Sequence, residues 1–157
     1  MTLPALETLN LLLDRAIGDR DQAQTVLQRA EEAQRRQQLQ AEQLAGYRSE
    51  YLARWTSAFN RPAAVEIVQC YRSFMERLDE AVAQQQRQSA AADAAAQGAR
   101  IVLVQCETRA ASVRKLIERR QSEHQRVLDR RDQRQTDEAA QQSVWRATQG
   151  AELTSHS

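Results

Sequence analysis

Asn60-Arg61-Pro62 is the one place between the two ends of the chain where strong helix breakers stand together, and the fold turns on it. Asn caps helix starts well, and Pro is tolerated in a first turn because its missing N–H has no partner there in any case. The triplet therefore predicts the end of one helix and the start of another, with the turn at about residues 59–62. Gly18, Gly46 and Gly98 stand singly within helical patterns, where each costs about 1 kcal/mol relative to Ala without ending the helix.

Outward from the turn, toward the N-terminus, apolar residues recur at heptad spacing. Positions Leu6, Leu13, Arg20, Leu27, Gln34, Ala41, Arg48 and Trp55 form one series. Leu9, Ala16, Ala23, Ala30, Gln37, Leu44, Tyr51 and Ala58 form the other, and twelve of the sixteen are apolar. An ordinary amphipathic surface helix has no reason to hold that period for eight heptads, whereas a coiled-coil seam needs it. After the turn the series continues through Ala64, Tyr71, Leu78, Gln85, Ala92, Ala99, Cys106, Val113, Arg120 and Val127, eight of ten apolar. Val68, Met75, Val82, Ala96, Leu103, Ala110 and Ile117 flank it and widen the stripe enough to face a partner helix.

The pattern predicts an all-α fold: a long antiparallel two-helix coiled-coil hairpin over residues 1–147, with helix two overhanging helix one. Helix one is expected at about 3–58 and helix two at about 63–146, followed by a disordered, small and polar end at 148–157. A fold-back near residue 60 sets Trp55 beside Glu66 or Ile67, Leu27 beside Ala94 and Leu6 beside Lys115. Helix two then has no partner from about Arg120 onward. Between Ala90 and Ala99 the seam is almost all Ala, so the backbones are expected to approach closely there with little hydrophobic gain.

Composition agrees. The 157 residues are 4% aromatic with 4 Gly and 2 Pro, too few turn formers for a sheet protein. With 22 basic and 21 acidic side chains the net charge is +1, so there is no overall field to draw the chain to nucleic acid or anionic lipid. Arg35-Arg36, Arg119-Arg120 and Arg130-Arg131 are interleaved with acids and lack stacking aromatics, which argues against nucleic-acid binding. No apolar run approaches the ~20 residues of a membrane span, and Met1-Thr2-Leu3-Pro4 lacks the basic start of a signal peptide.

Catalytic means are few. His124 and His156 have no Ser or Cys that two long helices would bring to them, so no triad is visible. Cys70, Cys106 and the histidines lack metal-ligand spacing, and the isolated glycines make no phosphate-binding loop. No cofactor, metal or enzymatic activity is expected.

Two regions look built for contact. Six of the seven aromatics, Tyr47, Tyr51, Trp55, Phe59, Tyr71 and Phe74, gather around the turn. Tyr71, Phe74 and Leu78 fall at i, i+3 and i+7, the spacing used by a helix face that anchors in a groove. The second region is the unpaired part of helix two from Arg119 through Ala140, with almost no core side chain besides Val127 and Leu128, which needs something to bind it or will fray. Its arginines suit a carboxylate-bearing surface.

Tyr47-Arg48-Ser49-Glu50-Tyr51 before the turn and Tyr71-Arg72-Ser73-Phe74-Met75-Glu76-Arg77-Leu78-Asp79-Glu80-Ala81-Val82 after it resemble the FliJ family of flagellar export proteins. Leu116-Ile117-Glu118-Arg119-Arg120 and Asp137-Glu138-Ala139 are similar to that family's C-terminal pattern, and the likeness covers roughly residues 5–140. The resemblance implies a stalk similar to the gamma subunit of rotary ATP synthases. Its paired ends would enter the hexameric export ATPase, FliI, here through Arg119, Arg126, Arg130, Arg131 and Arg134. It also implies contact with the export-gate protein FlhA through Tyr71, Phe74 and Leu78, and handling of export chaperones. The expected location is cytoplasmic, peripheral at the inner face of the cell membrane and held there only through partners. A monomer is expected; a homodimeric scaffold and the equivalent stalk of a virulence injectisome are the alternatives.

Overall fold

The structure is a computed structural model that describes residues 3–60 and 64–155. Two helices account for nearly all of it: α1, Leu3–Ala58, and α2, Val65–Thr154, packed against each other in an antiparallel hairpin with no strand among the described residues. The chain divides into two compact units, Ala16–Thr108 and Met1–Arg15 with Arg109–Ser157.

Ala16–Thr108 holds the turn and most of the seam. On α1 every heptad position from Ala16 to Trp55 is shielded or half-shielded, through Arg20, Ala23, Leu27, Ala30, Gln34, Gln37, Ala41, Leu44, Arg48 and Tyr51. Facing them, Met75, Leu78, Ala96 and Ala99 are buried, Ala96 completely. Within the alanine-rich section Ala96 and Ala99 are the buried residues, and burying a single methyl group at each brings little transfer free energy.

Polar residues in the seam pair across it. The Gln85 Nε2 donates to the Gln37 Oε1 at 2.7 Å and to its backbone carbonyl at 3.1 Å, and the Gln34 Nε2 donates to Asp93 at 2.9 Å. Arg48 pairs with Asp79, which raises the already high guanidinium pKa. Gln34–Asp93, Arg48–Asp79 and the ring pairs place the register later than expected. Trp55 meets Tyr71 and Tyr51 meets Phe74, four to five residues beyond the Glu66 or Ile67 expected opposite Trp55. The connection is longer than a four-residue turn: α1 closes at Ala58 and α2 opens at Val65. Pro62, expected in the first turn of the second helix, lies outside the described residues. The carbonyl that accepts the first bonds of α2 is that of Ala64, from Ile67 and Val68, so the expected cap by Asn60 is not where this helix starts.

In the unit Met1–Arg15 with Arg109–Ser157, Leu6, Leu9 and Leu13 are half-buried on α1, while Ala110 and Ile117 are buried and Val113 is half-buried on α2. Ile117 is the last shielded residue. From Glu118 through Ser155 every side chain is exposed. α2 continues to Thr154, so residues 148–154, expected as a disordered end, are its last two turns. Nothing there breaks a helix except the lone Gly150, and the Thr148 and Thr154 hydroxyls donate back to carbonyls one turn earlier.

Candidate functional site

Two surfaces correspond to the two regions singled out in the sequence. The first is the aromatic cluster of the unit Ala16–Thr108. Heptad spacing brings rings from both helices together beside the turn: Trp55 lies 4.8 Å from Tyr71 and 5.1 Å from Phe59, and Phe59 meets Tyr71 edge-on at 5.3 Å. Tilted and edge-on pairs of this kind each contribute about 0.5–1.5 kcal/mol beyond their buried area. Tyr71 is thus half-buried packing for the turn, with little of its ring offered outward.

Phe74 differs. Its ring rests on Tyr51 at 4.9 Å, and Tyr51 in turn touches Tyr47 at 4.8 Å. The outer face of Phe74 remains open at 37% exposure, beside exposed Cys70 and with Ile67 at 48%. The Tyr47 hydroxyl donates to that of Tyr51 at 3.4 Å, and this bond holds the Tyr47 phenol above its ordinary pKa.

Leu78 requires a correction. It was grouped with Phe74 as one contact face, but it is buried in the seam at 7% exposure. The i, i+4 spacing puts both residues on one side of α2, and the heptad decides which of them points at α1. The exposed companions of Phe74 are instead Ile67, seven residues earlier, and Tyr47 across the groove, both detectable from spacing once the register is known.

The second surface is the uncovered stretch of α2 in the other unit. Arg119, Arg126, Arg130, Arg131 and Arg134 are all exposed on it. At 100° per residue, Arg119, Arg126, Arg130 and Arg134 fall within about 80° of one another, with Glu123 among them and Arg131 off to one side. Asp137 falls within the same sector as the arginines, Glu118 and Asp129 lie to one side of it and Asp132 nearly opposite, so the face is rich in arginine with carboxylates interspersed. A hollow of about 190 Å³ bounded by Arg120, Glu123, His124 and Val127 lies on it.

Among the described residues no three His, Cys, Asp or Glu gather as a metal site, and no helix is long and apolar enough to cross a membrane. Both cysteines are free.

The chain is thus a helical hairpin with an aromatic cluster beside its turn and an exposed, arginine-bearing stretch on α2. The match to a family model makes it particular: the chain belongs to the flagellar FliJ protein family, which it matches over residues 6–149. It is accordingly a component of the flagellar export apparatus. No curated protein and no solved structure matches the chain.

Proposed function

We propose that this chain is a non-enzymatic stalk that couples the export ATPase, FliI, to the export gate, FlhA. The observation that carries the reading is the stretch Glu118–Thr154: helix with no shielded side chain, which an isolated sequence of this polarity holds only weakly. Such a segment acquires a stable structure when a partner covers it. The arginine face of Arg119, Arg126, Arg130 and Arg134, with Arg131 beside it, suits a ring lined with carboxylates, since guanidinium groups pair with carboxylates in a two-pronged geometry.

In this reading the chain works as a monomer at the cytoplasmic face of the membrane, held there only through its partners. Phe74, with Ile67 beside it and Tyr71 behind it, forms the gate contact; Leu78 supports that surface from beneath. Export chaperones are further partners. The action is to bias the conformations of the ring and gate, with no bond made or broken by the chain.

Adding the chain to purified ATPase should promote ring assembly and raise ATP turnover. Reversing Arg119, Arg126, Arg130 and Arg134 to Glu should abolish both effects while leaving gate binding intact. No change in turnover at saturating chain would refute the coupling role.

A further inference from the structure

The seam repeats every seven residues, so sliding α2 along α1 by one heptad would again set seam positions against seam positions. Within the unit Ala16–Thr108, side-chain size does little to forbid such a slip. The α2 seam from Gln85 to Ala99 is Gln85, Ser89, Ala92, Ala96 and Ala99, and one heptad trades Ala99 for Ala92 and Ala96 for Ser89 with almost no change in volume. The polar links do discriminate. Gln85 reaches Gln37 across the seam through two hydrogen bonds, at 2.7 and 3.1 Å. On one flank Asp79 and Asp93, two heptads apart on α2, bond to Arg48 and Gln34, two heptads apart on α1. One turn beyond, Arg100 pairs with Glu31 at 3.6 Å. All four links are made together in a single register.

We propose that these four links form a register lock, which holds the two helices against slippage that the periodic seam would otherwise permit. A slip that brings α2 residues seven earlier opposite α1 would set Arg48 against Arg72, Gln37 against Leu78 and Glu31 against Asp93. A slip the other way would set Gln37 against Ala92 and Glu31 against Glu107, with Gln86 in place of Asp79 opposite Arg48. Either slip loses all four links, leaves Gln37 and Gln85 facing apolar side chains in the half-buried seam, and puts a carboxylate beside Glu31. The reason lies in the flank row Arg72, Asp79, Gln86, Asp93, Arg100 and Glu107, which keeps the seven-residue spacing while its charges do not repeat. A periodic seam is thereby restricted to one pairing. An exposed ion pair contributes little by itself, but register is chosen by a difference, and each group counts once as a lost link and again as a mismatch. The rings Trp55–Tyr71 and Tyr51–Phe74 act beside the turn, whereas the links carry the choice to Glu31, 24 residues or about 36 Å from Trp55. A hairpin so locked passes a pull on one helix to the other as displacement instead of slippage, and this holds independently of the export reading.

Spin labels on Leu39→Cys and Val104→Cys read the register in the full chain carrying Cys70→Ser and Cys106→Ser, since both labelled positions are exposed. They lie about 24 Å apart along the helix axis, and a slip of one heptad changes that by about 10 Å. The parent should show one distance in pulsed electron resonance. Gln37→Leu, Arg72→Asp and Asp79→Arg together move the favourable partners on α2 one heptad earlier at unchanged net charge. A second distance, about 10 Å longer, should then appear with helicity unchanged by circular dichroism. Restoring Gln37 and adding Arg48→Asp returns opposite charges to the original pairing and should bring back the single distance. One unshifted distance in the triple variant would overturn the proposal by leaving the register to the rings. A second distance that survives Arg48→Asp would overturn it by separating the slip from the pairing. A broad distribution with helicity lost would overturn it too, because the links would then hold the hairpin together without choosing its register.

Discussion

Deleting residues 118–157 should leave the remaining hairpin almost as stable as before. The stretch Glu118–Thr154 contributes no buried or half-buried side chain, so its removal forfeits essentially no hydrophobic transfer free energy. What is lost is local: side-chain bonds such as Gln125 to Asp129 and Gln133 to Asp137, each contributing a few tenths of a kcal/mol to their own turn. The effect on unfolding of the paired region should stay below about 1 kcal/mol, a fall in thermal midpoint of less than about 4 °C for a chain of this size. Helical signal should fall by about a quarter, because the segment supplies 37 of the 146 helical residues. Circular dichroism with temperature measures both quantities on one sample. Amide exchange in the intact chain should show the same partition, with protection of about tenfold or less beyond Ile117 and far more around Met75, Leu78 and Ala96. A midpoint drop well beyond 4 °C would refute the argument, since it would mean that the arm is packed against something. An unchanged helical signal would refute it from the other side.

The remaining predictions concern single side chains. Leu78→Ala should destabilise the hairpin by about 2–5 kcal/mol by leaving a gap in the seam, whereas Phe74→Ala should cost about 1 kcal/mol and show its main effect as lost binding to purified FlhA; denaturant titration and a binding isotherm separate the two. Gly98→Ala should raise stability by about 1 kcal/mol, because the glycine lies within α2 and an added Cβ meets nothing within 4 Å; a lowered midpoint would show that the helix is interrupted there. Since the Tyr47–Tyr51 hydrogen bond raises the Tyr47 pKa in the folded chain, its contribution is fully present below the ordinary value of 10.0 and is lost as pH climbs through the raised one. Thermal midpoints measured across that range should fall more steeply for the native chain than for Tyr47→Phe.

The amino-acid sequence by itself determined the seam. Leu6, Leu9 and Leu13, and then every heptad position from Ala16 to Trp55, sit against the second helix because a seven-residue repeat held this long has one low-energy use. It also determined the turn region, since only one cluster of helix breakers interrupts the pattern, and it located the uncovered arm, because helix one is too short to cover helix two beyond about Arg120. Two matters were left to the tertiary structure. The register came out four to five residues later than the turn triplet implied, because length in the connection slides one helix past the other without altering either periodicity. The register in turn decided which residues meet across the seam, so that one flank closes with Arg48–Asp79 and Gln34–Asp93. A heptad states which residues point toward a partner helix; which residues of that partner they meet is a property of two helices together, and only their packing specifies it.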